Sequence, residues 1–327
     1  MTWLTLILRD FHPPEEASAA DRARLARHAV LEQALRHARR DTSNQDWREW
    51  LLQHVGLSPA LAAGAVAAQL SPQTLAAPTA WLATPVHYVA GLDTVRLHPA
   101  GVLTLSEPER QALVADFTQQ FAGSSLALGS FGERELLLTA PTADPLPSTA
   151  DPARFLGRVP SAGMPTGPAA AWLRRLAAEM EMWLHVHPVN EQRAARGQLP
   201  VSALWLWGGG RPAPVQARAL PRLYGSDLFA RGLWQSGGGA PLPLPADFAT
   251  LGPLEADAIV LLPTVPEAGP TDLGTIERAW LAPALVALDA GRIDGLRLIL
   301  GRRGFALTRR RGWRWWRGER AWWELLA

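Results

Sequence analysis

The 327-residue chain contains 28 glycines, 28 prolines and no cysteine, so it is long enough for a large core and two structural units, and disulfides and thiolate metal sites are excluded. Lysine is absent and tyrosines number only two, so the isoelectric point near 9.8 reflects a shortage of groups that titrate between neutrality and arginine, at a net charge of only +2. Residues 301–327 carry +6 and residues 1–300 carry −4, which makes the basic character a C-terminal feature.

The opening run, Thr2 to Leu8, is apolar and β-branched enough for a buried first strand, with Asp10 after it. It is too short to span a bilayer and has no basic segment before it. No membrane partner is expected, and the expected location is cytoplasmic. Ala19 to Arg40 reads as an arginine-studded helix, followed by helical segments over Gln45 to Val55 and Pro59 to Leu70. Thr42, Ser43, Ser58 and Ser71 sit in capping or turn contexts rather than as evident nucleophiles. From Trp81, TPVHYVAGLDTVRLHPAGVLTL alternates β-prone runs with turn signals and predicts an antiparallel hairpin. His87 falls within it and reads as a hydrogen-bonded strand residue. Ser106 with Glu107 and Glu109 predicts a helix start, and the helix should run to Phe121. Arg134 to Leu138 reads as a strand before a proline-rich connection.

The most densely specified stretch is Trp172 to Pro212. Trp172, Leu176, Met180 and Trp183 recur at helical spacing and predict one buried stripe, and Pro188 should end the helix. Val201 to Trp207 is apolar on both faces, as in a strand covered by helices on both sides. Gly208, Gly209 and Gly210 then allow close backbone approach where open α/β sheets bind ligands. His187, Asn190, Arg193 and Arg196 lie between helix and strand. Guanidinium groups beside glycine amides suit a carboxylate or phosphate, so these residues, with the three glycines and Arg211, are the candidate site for a small anionic ligand. The alternative is a structural role, in which Asn190 caps a short helix and Arg193 pairs with an acid such as Glu179 or Glu181.

HPVN-x-x-R-x-x-x-G-x-x-P at residues 187–200, followed by LPVSALWLWGGG, resembles the archaeal-type cofactor-independent phosphoglycerate mutases of the alkaline phosphatase superfamily. Its form here is most similar to that of a proteobacterial phosphoglycerate-mutase-like or Rpf-type regulatory family. The resemblance implies an α/β core from residues 1–80 and 201–327, an inserted α+β unit over 81–200, and a substrate side that includes the HPVN segment. It also implies a metal-binding aspartate after the first strand and further ligands after Ala258 to Leu262. The chain departs from that pattern. Trp207 replaces an arginine expected before the glycines, no histidine follows His187, and only Glu267 and Asp272 are acidic near the later ligand positions.

The expected function is therefore a catalytically degenerate relative that binds a phosphorylated or carboxylated small molecule in a regulatory role, with no cofactor and no metal ligands. An active phosphomutase or phosphatase with two Mn²⁺ or Zn²⁺ ions is the alternative. A nucleic-acid role for the tail, where Arg309, Arg311 and Arg314 alternate with Trp313, Trp315 and Trp316, is disfavoured against stacking of arginines on tryptophans.

Overall fold

A computed structural model describes residues 1–9, 27–40, 46–56, 79–91, 93–131, 135–141, 149–164, 170–210, 219–262 and 270–309. The helix predicted over Pro59 to Leu70, most of the one over Ala19 to Arg40, the candidate Arg211 and the tail beyond Arg309 lie outside the described residues. Contacts divide the chain into two compact units, Met1–Leu57 with Val215–Ala327, and Ser58–Pro214. Among the described residues, no helix is long and apolar enough to cross a membrane.

In chain order the first unit opens with β1 (Trp3–Leu8), α1 (Ala29–His37), β2 (Arg39–Arg40) and α2 (Trp47–His54). The second unit supplies β3 (Thr79–Ala90), β4 (Val95–Val102), α3 (Glu107–Gln120), β5 (Ala127–Phe131), β6 (Glu135–Ala140), α4 (Ala171–His185), α5 (Pro188–Ala195) and β7 (Ala203–Gly210). The chain returns to the first unit with β8 (Arg222–Tyr224), α6 (Leu228–Ser236), α7 (Phe248–Leu251), β9 (Ala258–Leu262), α8 (Pro270–Ile276), a π-helical turn (Glu277–Leu281), α9 (Ala282–Asp289), β10 (Gly295–Leu300) and β11 (Arg303–Thr308).

The first unit is an α/β layer structure on a six-stranded sheet of order β2-β11-β10-β1-β9-β8. β10, β1, β9 and β8 are parallel, while β11 returns antiparallel from β10 and β2 pairs antiparallel with it. β1 is central because it is apolar on both faces, and Leu4, Leu6 and Leu8 join a core with Val260, Leu298, Leu288 and Trp280. Gly295 is required where β10 meets β1, since a Cβ there would lie 2.5 Å from the Trp3 ring. Asp46 starts α2 with a complete capping box to Glu49.

Two sequence expectations change in this unit. Arg39 and Arg40 form an edge strand, not the end of a helix. The sequence also predicts a helix over Ile276 to Leu288, and this is interrupted by the π turn, which ends two residues before Pro283, a residue with no N–H to continue the ladder. Within that turn, buried Glu277 accepts from the Leu31 amide at 2.8 Å and lies 2.8 Å from His28 Nδ1.

The second unit is built on β3, a twelve-residue strand. β7 lies along one side of it from Ala80 to Val86, and the other side pairs first with β6 and then with β4. The hairpin expected from Trp81 is present, as is the helix expected after Ser106, whose hydroxyl and Glu109 form a capping box. The strand assigned from sequence to the parallel core sheet, Val201 to Trp207, is instead β7, antiparallel to β3 in this unit. Its two apolar faces are covered within this unit by Leu176 and Met180 on one side and by partners such as Phe155, stacked on Trp205 at 5.6 Å, on the other. The same double-sided pattern would suit a parallel strand, so alternation alone could not choose. On α4 the buried stripe is Leu173, Leu176, Met180 and Leu184. Trp172 and Trp183 flank it as partly buried rings packed edge-on to Trp81 and Phe117.

Gly209 is fixed by packing, because a Cβ on it would fall 1.8 Å from Trp81 Nε1. Trp81 is fully buried and cannot swing away. Gly209→Ala is expected to destabilise the protein by about 2–3 kcal/mol through overpacking. Urea unfolding of the two proteins tests this, and an unchanged midpoint would refute it.

Candidate functional site

The HPVN segment begins where α4 ends. His187 takes extended backbone angles as the N-cap of α5, and Pro188 occupies the first helical turn, where its missing N–H costs nothing. His187 Nδ1 accepts from the Val189 amide at 3.1 Å, so the ring hydrogen is on Nε2, which lies 2.9 Å from Asp116 Oδ2. Burial lowers the His187 pKa and Asp116 offsets this only in part, so the imidazole stays neutral at neutral pH.

Asn190 is used in full. Its Nδ2 donates to the carbonyls of Leu184 at 2.8 Å and Val201 at 2.9 Å, and its Oδ1 accepts from the Val201 amide at 2.7 Å. One side chain thus ties the end of α4 to the entry of β7. Arg193 is 4% exposed, and its Nε donates to the Leu199 carbonyl at 2.7 Å while Nη1 reaches Glu109 Oε2 at 3.2 Å. Arg196 donates to the other Glu109 oxygen at 3.1 Å. Burial would raise the Glu109 pKa, but hydrogen bonds from the Ser106 amide and hydroxyl and the two arginines outweigh it and hold the carboxyl below its ordinary range. Gly197, at φ +67°, closes α5 in the left-handed conformation, with the Gln198 amide bonded to the Arg193 carbonyl. The Pro200 carbonyl lies 2.9 Å from His87 Nδ1, which gives His87 the hydrogen-bonded strand role expected of it.

Each named position of the motif therefore has a local folding task. The structure brings His187, Asn190, Arg193 and Arg196 into one polar lock, but it directs them at protein partners. The helix cap is His187, not Asn190, and the acid paired with Arg193 is Glu109, not Glu179 or Glu181. Gly208, Gly209 and Gly210 form the end of β7. Removing one partner of a buried pair leaves a stranded charge. Arg193→Ala is accordingly expected to lower stability by about 3–5 kcal/mol. A melting temperature within a few degrees of wild type would instead return Arg193 to the ligand-binding role.

A second feature was not anticipated. Glu181 of α4 and Tyr88 of β3 line a cleft with Leu173, Ala177, Leu204 and Trp205, enclosing about 20 Å³, room for one water. Burial pushes the Glu181 pKa up, and burial together with the Glu181 charge pushes the Tyr88 phenol up. The folded state thus holds the Glu181 proton more tightly than the unfolded chain, so its contribution to stability is fully present at acid pH and is lost as pH rises through the raised pKa. Glu181→Gln should be more stable than wild type at neutral pH, with the difference closing as pH falls towards the ordinary glutamate value of about 4.3. Parallel melting profiles from pH 4 to 8 would refute this.

The third feature lies at the carboxyl ends of the parallel strands in the first unit, where open α/β sheets bind ligands. Arg9 follows β1 directly, and its Nε donates to the Leu262 carbonyl at 3.1 Å and its Nη1 to Asp227 at 2.8 Å. Asp227 also caps α6 through the Ala230 amide. Leu8 and Leu300 are register partners, so the turn between β10 and β11, which carries Arg302 and leads into Arg303, is beside Arg9 in the sheet order. Asp10, Glu267 and the side chain of Asp272 lie outside the described residues. Among the described residues, no three histidine, aspartate or glutamate side chains are grouped to hold a metal ion. Glu109, Asp116 and Asp227 were missed from sequence because each meets its partner across 71 or more residues of chain.

No family model matches this chain, and no curated protein matches it. Among solved structures it is similar to the cofactor-independent phosphoglycerate mutase from Thermoplasma acidophilum DSM 1728, at 14% identity, covering 94% of this chain and 90% of that one, with a TM-score of 0.40. It is also similar to the PH0037 protein from Pyrococcus horikoshii, at 12% identity, covering 94% and 87%, with a TM-score of 0.42. Likeness at this level carries no argument about activity.

Proposed function

We propose that this protein is a phosphoglycerate-mutase-like α/β protein that binds a small phosphorylated or carboxylated ligand in a regulatory role and does not transfer phosphoryl groups. The sequence resemblance suggests the class. The observation that carries the anion-binding reading is the concentration of arginines at the carboxyl end of the first unit's sheet, where Arg302 lies in the turn after β10, Arg303 opens β11 and Arg9 follows β1. Guanidinium groups at that end supply planar paired donors to carboxylate or phosphate oxygens. The HPVN segment, with Arg193 and Arg196 both turned to Glu109, supports the fold of the second unit in this reading.

A regulatory binder and an enzyme respond differently to the same compounds. The purified protein is expected not to interconvert 2- and 3-phosphoglycerate with or without added Mn²⁺, while phosphorylated compounds raise its melting temperature by ligand linkage. Mn²⁺-stimulated interconversion would establish the active phosphomutase instead. Absence of any anion-dependent shift would remove the binding role.

A further inference from the structure

The cleft between α4 and β7 in the second unit holds a carboxylate that its surroundings do not satisfy. Leu173, Ala177 and Glu181 follow one another at four-residue spacing on one face of α4, so half-buried Glu181 stands in line with apolar positions and not on the solvated side. Among the described residues no hydrogen bond or ion pair reaches the Glu181 carboxylate, and its raised pKa comes from desolvation with no cation opposing it. Arg174 lines the same cleft about 10 Å back along the helix axis and is engaged with another group. The walls are held from outside the cleft. Tyr88 is anchored by its amide, which donates to Ser202 Oγ at 3.0 Å. The Trp205 ring stacks on Phe155 at 5.6 Å and donates through Nε1 to the Ala150 carbonyl at 2.8 Å.

We infer that this cleft is a binding site for a primary ammonium group carried on an alkyl chain. The carboxylate of Glu181 accepts a charge-assisted hydrogen bond from the ammonium and neutralises it. The phenol of Tyr88, whose proton is held firmly beside Glu181, offers its oxygen to a second N–H, and solvent at the mouth takes the third. Size sets the class of cation. The space of about 20 Å³ admits a group as large as one water, which an ammonium head matches and a guanidinium or trimethylammonium exceeds. Leu173, Ala177 and Leu204 line the cleft with apolar surface for the alkyl stem. A divalent metal ion would need six or more oxygen ligands, which one carboxylate and one phenol do not supply. The chain contains no lysine, so none of its own side chains provides the group and the ammonium comes from another molecule. The site is independent of the anion-binding reading above, which concerns the first unit.

The test titrates the full-length protein with n-butylammonium chloride at neutral pH and follows the melting temperature. Butylammonium should raise it by ligand linkage. n-Butanol, which has the chain without the charge, and tetramethylammonium chloride, which has the charge without an N–H, should not. Tyr88→Phe should weaken butylammonium binding by about 10-fold, the loss of one hydrogen bond to a charged group. Glu181→Gln should abolish the shift. Because that variant is expected to be the more stable protein at neutral pH, the loss cannot be put down to unfolding. Glu179→Gln, at an exposed acid on the same helix, should respond as wild type does. Any stabilisation by phosphorylated compounds should survive Glu181→Gln, which keeps the two sites distinguishable. Nα-acetyllysine amide separates the sources of the ammonium, and either result supports the site: a stronger response than to butylammonium assigns a lysine side chain of a partner protein, and a weaker one assigns a free alkylamine. A response to butanol equal to that of butylammonium, or wild-type binding by Glu181→Gln, would overturn the site. Absence of any response to butylammonium in the wild type would leave the cleft to a water molecule and overturn it as well.

Discussion

A single buried carboxylate organises the second unit. Glu109 sits in the first turn of α3, where its chain reaches back to the Ser106 amide at 2.7 Å, and the same two oxygens receive Arg193 and Arg196 from α5. A glutamate so enclosed is tolerated only because it is fully hydrogen-bonded, since an isolated charge in that setting would cost several kcal/mol. The pairing fixes α3 against α5. Arg193 in turn fixes the Leu199 carbonyl, and through the adjoining Asn190 bonds the chain enters β7 in a defined register. The low pKa of Glu109 has an energetic counterpart, because stability from this group is present above the ordinary glutamate range and is lost as pH falls through its depressed folded-state value.

The lock changes the meaning of the motif that resembles the mutases. A histidine, an asparagine and an arginine at these spacings look like groups held out to a substrate. In this chain their donors and acceptors satisfy helix ends, a turn and a buried acid, which are the backbone and side-chain groups that burial would otherwise leave unpaired. Glycine at 197 and proline at 188 serve the same construction, one as a left-handed helix stop and one as a helix start. Trp207, standing where the family pattern has an arginine, is 5% exposed and donates through Nε1 to Thr84 Oγ1 at 2.8 Å. At that position the residue present joins β7 to β3.

The first unit handles polar groups differently. Its core is almost wholly apolar around β1, β9 and β10, with the buried Glu277 and His28 paired to one side of it. Arg9, bonded to Leu262 and Asp227, is balanced locally. Burial, and then the charges of Arg40 and Arg302, lower the Arg303 pKa. Edge strands in sheets are often protected by charge, which accounts for arginines on β2.

Local pattern sufficed for much of the architecture. Ser106 with Glu109 three residues on specified a helix start, the turn signal at Gly91 specified a hairpin, and the five apolar residues from Ala258 to Leu262 specified a buried strand, because capping, turn chemistry and uninterrupted hydrophobicity act within a few residues; the signal at Pro99 to Gly101 fell inside β4 instead. Partner choice was not local. Val201 to Trp207 is equally suited to a parallel or an antiparallel sheet, and only its pairing with β3 decided which unit it joins. Arg193 could be a ligand arm or half of an ion pair, and only Glu109, 84 residues earlier in the chain, decided between them. The sequence by itself determined elements and their apolar faces, through interactions between near neighbours. The tertiary structure alone decided which groups neutralise the buried charges, since that depends on residues brought close by folding and not by order along the chain.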